Sequence, residues 1–401
     1  MTEPAPDLSH HPDLSFSLVQ GGPPYRIQQK LGLIPRRGLG IPRRVLCFML
    51  LTWVPIMVWA LVHGWVYVGV VAEPLLQHFG VHVRCLVVIP LLIAAEAVPA
   101  WVSPRIVPYF VTSGLVSEAT KPRFVELLQQ AMRLRDSWAA AAVMAVLSVL
   151  PAWRFTGVGG ALHEDALSWA VSREAGRLRL GFGGWWFVFV VRPVFTFFLL
   201  YWVWRLVVAT VFFWRVAHLD LRLVPTHPDR AGGLGFLGRV PFAFSPVVLA
   251  MSAVIASHWA HQILYHGAHV TDFKLPLAVF VAVMLVMFLG PFLLFAPQLV
   301  RLKRRSLLEY GALVGEHGRL VQRRWIFGEP VEDKGLLEAP ELGPVVDTLS
   351  MYEAVERVRP VPLGTQSVVA IVAPALLPII PVAAIEVPLK EALLKLLGVL
   401  I

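Results

Sequence analysis

VVRPVFTFFLLYWVWRLVVATVFFW, residues 190–214, carries only two charged residues, Arg192 and Arg205. About 20 apolar residues, rising ~1.5 Å each, cross the ~30 Å hydrocarbon core of a bilayer. This stretch therefore reads as a membrane-spanning helix, with predicted bounds Trp185 to Trp214. Six other stretches read the same way: 45–71, 83–102, 137–153, 246–265, 275–300 and 367–388. Trp101, Trp138, Trp153, Trp185, Trp186 and Trp214 fall at or near the ends of these runs, where indole rings anchor helices at the interface.

The whole chain agrees with that reading. Its 401 residues are 57% hydrophobic and 15% charged, with a mean hydropathy of +0.68. The predicted class is an all-α membrane protein, a polytopic bundle of about 6–7 transmembrane helices with a small helical cytoplasmic region. No cleavable signal is expected ahead of the first run, which reads as an uncleaved anchor. The net charge of +9 does not point to nucleic acid, because Lys and Arg gather in alternate loops. Segments 1–44, 103–136, 215–245 and 301–366 hold 25 of them, against 6 in the intervening loops and the C-terminal tail. That asymmetry predicts a cytoplasmic N-terminus. Cys47 and Cys85 fall near opposite ends of the bilayer, too far apart to pair.

The chain divides into a cytoplasmic tail (1–44), a six-span bundle (45–300), a cytoplasmic helical segment (301–366) and a last stretch (367–401). Pro374, Pro378 and Pro381 each remove a backbone donor, so that last stretch reads as a broken seventh span or a re-entrant segment. LKEALLKLLGVLI, at the C-terminus, reads as an amphipathic tail. On the cytoplasmic side, 301–327 reads as an extension of the sixth span, with further helices at 121–135 and 345–358.

VPTHPDRAGGLGFLGRVP (224–241) contains two apparent signatures. His227, Pro228 and Asp229 resemble the J-domain motif, but the loop has no room for that soluble domain. The glycine run matches a dinucleotide fingerprint but lacks the flanking strand and βαβ unit. Two readings remain. His227, Asp229, Arg230, Gly232, Gly233, Gly235 and Arg239 form either an anion or headgroup turn with exposed amides, or a compact turn whose backbone is capped by Asp229 or Thr226.

Other polar residues interrupt the spans. At ~1.5 Å per residue, His63, Arg192 and His258 lie roughly 10 to 12 Å below the outer surface, and Glu96 about 20 Å. Ionisable groups at such depth face a cavity, the bundle interior or one another. Arg205, nearer the cytoplasm, reads as a snorkelling side chain. His258, His261, Gln262, Tyr265 and His269 share one helical face, with His266 just off it. That stripe fits a hydrated helix end, a proton or pH role, or metal or haem ligation. No nucleophile–base pair, H-E-x-x-H or Walker loop occurs, and His163, Glu164 and Asp165 read as a solvated helix start.

HFGVHVRCLVVIPLLIAAE (78–96), THPDRAGGLGFLG (226–238) and SMYEAVERVRPVPLGTQSVVAIVAPALLPIIP (350–381) together resemble an uncharacterised family of bacterial multi-pass membrane proteins. The resemblance runs from about residue 26 to the end, and HPDRAGGLG is its most specific part. It implies a bacterial inner membrane and no particular activity. The expected function is a channel or transporter for a small ion or solute, an anion rather than a cation. Its path would run through the bundle past His63, Glu96, Arg192, His258 and His261. The alternatives are a membrane-anchored sensor or scaffold with a cytoplasmic protein partner, and a haem or metal redox protein. No cofactor is predicted, and the expected partners are the lipid bilayer, the solute and further copies of the chain.

Overall fold

The computed structural model describes residues 16–35, 38–66, 74–154, 165–174, 177–332 and 342–386. The predicted amphipathic tail and His163 and Glu164 lie outside the described residues. Regular structure is almost wholly helical. α1 is Pro23–Lys30, α2 Ile41–Val62, α3 Phe79–Thr112, α4 Lys121–Arg135 and α5 Trp138–Arg154. α6 is Phe182–Val216, α7 Ser245–His266, α8 Val270–Ile326 and α9 Leu342–Glu356. α10, Thr365–Leu376, and α11, Ile379–Glu386, follow. Between α5 and α6 lies a two-stranded antiparallel hairpin, β1 Val171–Glu174 with β2 Arg177–Leu180, in which Val171 pairs with Leu180.

Six helical stretches are long and apolar enough to cross a membrane: α2, α3, Lys121–Pro151, α6, α7 and α8. The α10–α11 pair qualifies as a seventh, bent by 48°. Its contacts follow those of α7. Near the start of α7, Ser245 bonds to Ala370, and a little further on Ser252 bonds to Ala375. Val382 then packs with Ala256 and Trp259, and beyond the end of α7 Glu386 meets His269 and Val270. Residue numbers rise together, so the bent pair runs parallel to α7.

The bend has a local cause. Pro374 has no N–H for the carbonyl of Ala370, and the helix breaks after Leu376. Ser245 Oγ donates to the Ala370 carbonyl at 2.5 Å, and Ser252 Oγ donates to the Ala375 carbonyl at 2.6 Å. Hydroxyls on one helix thus serve backbone acceptors freed on its neighbour, as a medium without water requires.

α8 has 57 residues, about 85 Å at helical rise, so it cannot lie within one bilayer thickness. Its second half is the predicted extension of the sixth span, and α9 packs against it. The main core is aromatic: Phe110, Phe124, Phe212, Phe213, Phe292 and Phe295 interlock between α3, α4, α6 and α8. Apolar burial drives little association between helices in lipid, so close packing of such rings carries the contact. A second core at the opposite end joins Ile56, Leu75, Trp169 and Phe187.

The segment read as a cytoplasmic tail is not free from Phe16 onward. Phe16 stacks on Phe212 with ring centroids 6.0 Å apart, and Leu18 and Val19 are buried. Arg26 pairs with Asp136 at 2.8 Å, and Arg135 donates to the carbonyl of Ser17. These apolar residues need cover, and the bundle supplies it.

Replacing Ser252 by Ala leaves a buried carbonyl at the bend without a donor. The expected cost is about 1–3 kcal/mol, read as a lower unfolding midpoint of the purified protein in detergent.

Candidate functional site

Two polar centres stand out: a buried ion cluster inside the bundle and a basic cleft at one end. The cluster begins with α2, whose first turn, IPRR, ends on Arg44. Its counter-charge, Glu96, sits where α3 loosens. Pro99 offers no N–H, and the turn before it tightens to Glu96 N–H on Ile93 O and Val98 N–H on Ala95 O, both at 3.2 Å. The bypassed Leu92 carbonyl accepts the indole N–H of Trp202 at 3.0 Å. Glu96 then receives Arg44 Nη1 on Oε2 and Arg205 Nη2 on Oε1, the latter at 2.8 Å. Arg44 Nε donates to Gln28 Oε1 of α1 at 2.6 Å. Arg205 lies over the rings of Tyr201 and Trp202, 4.3 and 4.7 Å from their centroids.

Both arginines are 1% exposed and Glu96 is 2% exposed. Arg205 therefore does not snorkel. Glu96 offers it a charge-assisted partner inside the bundle, and the two rings cover its face. Arg44, assigned from sequence to the tail, belongs to the membrane bundle.

The other residues of the predicted polar layer differ in burial. His63 is exposed at the end of α2, its Nδ1 2.9 Å from the Trp59 carbonyl and its ring against Trp59 and Trp65. Arg192 is half-buried, its guanidinium 5.3 Å from the Phe187 ring. His258 is on the exposed side of α7. His261 is buried, with Nδ1 3.0 Å from the Gln77 carbonyl and Nε2 3.3 Å from Nε2 of His266. Its ring also lies 4.8 Å from that of His78. Among the described residues, no group of three His, Cys, Asp or Glu side chains is arranged to hold a metal.

In the 224–241 turn, Asp229 Oδ1 accepts the N–H groups of Ala231 at 2.8 Å and Gly233 at 3.1 Å. Oδ2 accepts that of Gly235 at 2.7 Å, and His227 Nδ1 lies 2.9 Å from Oδ1. Arg230, Gly232 and Gly233 take φ angles of 56°, 64° and 97°. A Cβ on Gly235 would sit 2.7 Å from that of Asp229. Of the two readings of the turn, the structure takes the second for these amides: they close on Asp229 instead of an outside anion. A carboxylate a few residues away outcompetes any solute for them. From the far end of the chain, Arg359 Nη2 donates to the Asp229 carbonyl at 2.8 Å, and its N–H donates to Arg230 O at 2.8 Å. Ser367 Oγ donates to Gly238 O at 2.8 Å.

Beside this turn opens a cleft of about 860 Å³. One wall is the last third of α3, with Trp101, Arg105 and Tyr109 one helical turn apart. The floor includes Gly235, Phe236 and Arg239, and the far wall is Arg359 with Thr365 and Gln366 from the first turn of α10. Arg105 stacks 4.1 Å above the Trp101 ring and donates to its carbonyl at 2.6 Å. Arg239 is exposed and makes no hydrogen bond or ion pair with any described residue. Arg359 Nε is covered and has no hydrogen-bond partner among the described residues. Three guanidiniums thus line a cleft whose one carboxylate among the described residues is already engaged. Of its cations, the predicted site included Arg239 but not Arg105 or Arg359. Arg359 lies within the stretch 350–381 that carries the resemblance, and the i, i+4 spacing of Trp101 and Arg105 was visible.

Compared with family models, curated proteins and solved structures, the chain matches none. Its function is therefore argued from these residues.

Two outcomes test the site. Changing Glu96 to Gln leaves two buried guanidiniums without a counter-charge, at a cost of about 3–5 kcal/mol, read as lost folded yield and a lower melting temperature. Asp229 has a second signature. Burial opposes its ionisation, but the N–H groups of Ala231, Gly235 and Gly233, with His227, outweigh burial and hold the carboxyl below its ordinary range. Because its folded pKa lies below the unfolded one, its stabilisation is present above about pH 4 and is lost as pH falls through the folded value. Wild type should therefore lose stability in that acid window, and an Asp229→Asn variant should lose correspondingly less, as thermal melts across pH will show.

Proposed function

We propose that this chain is a multi-pass protein of a bacterial inner membrane, with its N-terminus cytoplasmic, that captures a small oxyanion in the arginine-lined cleft. The observation that carries the reading is the charge balance there: Arg105, Arg239 and Arg359 face an 860 Å³ cleft, and Asp229, its one carboxylate among the described residues, is engaged by three backbone N–H groups. Planar guanidiniums bind oxyanions through paired, charge-assisted hydrogen bonds. The count of 25 against 6 basic residues supports the orientation, which puts the cleft on the cytoplasmic face.

Capture fits the geometry better than conduction. A path through the bundle would have to separate Glu96 from two arginines, and breaking such a buried pair is costly. Calorimetric titration of delipidated protein with inorganic phosphate tests the reading. Saturable binding is expected, weakened by about tenfold in an Arg105→Gln, Arg239→Gln double variant. A flat titration of wild type would remove it.

A further inference from the structure

The cleft is bordered by the end of one membrane-spanning helix and the start of another. α3 closes at Thr112, one turn beyond Tyr109, and α10 opens at Thr365, where the bent pair begins. The apolar run read as the second span, 83–102, ends beside Trp101, so the cleft lies level with lipid headgroups. Its outer wall is aromatic and turned outward. Trp101 is 62% exposed and Tyr109 41%, both on a membrane-spanning helix, with Arg105 stacked on the indole. Exposed Trp and Tyr at the end of a span settle in the headgroup zone.

The lining is also two-sided. Val102, Ile106 and Phe236 give an apolar surface beside the three guanidiniums. A soluble oxyanion has no use for that surface, whereas a lipid's glycerol and first methylenes do. Basic pockets at the cytoplasmic ends of membrane helices bind acidic headgroups through the same charge complementarity.

From the position of the cleft, its aromatic outer wall and its mixed lining, we propose that its ligand is the phosphate of an acidic glycerophospholipid, entering sideways from the bilayer past Trp101. This rests on the anion reading above and narrows its source. Arg105 and Arg239, both exposed, take the phosphate oxygens. Arg359 supplies charge from behind while its Nη2 holds the 224–241 turn at the Asp229 carbonyl and its Nη1 donates to the Leu363 carbonyl.

The test uses the full-length protein in nanodiscs of phosphatidylcholine with a minor share of phosphatidylglycerol, followed by native mass spectrometry of the released protein. The expected result is selective retention of phosphatidylglycerol over phosphatidylcholine, reduced about tenfold or more in the Arg105→Gln, Arg239→Gln double variant. Both side chains are exposed, and folding of the variant is checked by its melting temperature. Added inorganic phosphate should not displace the lipid. Four outcomes overturn the proposal. If the two lipids are retained equally, or if the variant retains phosphatidylglycerol as wild type does, the cleft is not a headgroup site. If phosphatidylglycerol is not retained while inorganic phosphate binds through the same arginines, the ligand is a soluble oxyanion, and the broader reading stands alone. If neither binds, both readings fall.

Discussion

Two guanidiniums share the carboxylate of Glu96 inside the bundle, and much of the rest is arranged around that contact. Arg44 brings in α2, Glu96 α3 and Arg205 α6, while Gln28 ties α1 to the same point. Charges so far from water persist only with partners in good geometry. The ion cluster therefore sets the mutual rotation of three crossing helices more sharply than aliphatic packing, which tolerates sliding. Its residual positive charge is spread over the faces of Tyr201 and Trp202.

Backbone satisfaction is the second organising demand. Proline interrupts α3 and α10, and each interruption frees a carbonyl where water cannot reach it. Trp202 serves Leu92, Ser245 serves Ala370, and Ser252 serves Ala375. The same logic governs the 224–241 turn outside the hydrocarbon, where the free groups are donors and Asp229 is the acceptor. In each case a break in regular structure is tolerated because a specific side chain, often far along the chain, completes it.

Some of this was legible from the sequence and some was not, for physical reasons. Span number and position follow from apolar length alone, which explains how closely Phe182–Val216 and Ser245–His266 match their predicted bounds. Pro374, Pro378 and Pro381 announced the break, but the parallel run of the bent pair is a matter of contacts with α7. Asp229 was a local signal, since its bonds close within six residues. Arg44 was hidden by its position: a basic residue at the start of an apolar run reads as interfacial. Depth along the chain was legible for His63, Arg192 and His258, but depth is only half of what decides burial. Helix rotation decides it too, and rotation is fixed by packing that a single sequence does not display. The cleft suffered similarly, because Arg105, Arg239 and Arg359 come from three separate elements.

The ion cluster also bears on how the chain is assembled during synthesis. Arg44 emerges first, Glu96 follows 52 residues later, and Arg205 is a further 109 residues away. When α2 enters the membrane its arginine has no acid to meet, and it must wait at the interface, where a long side chain can reach headgroups. The arrival of α3 supplies the acid and draws Arg44 inward. Only when α6 is threaded does the second arginine close the set. Chain order therefore completes the cluster only once α6 has been made, ahead of α7, α8 and the α10–α11 pair.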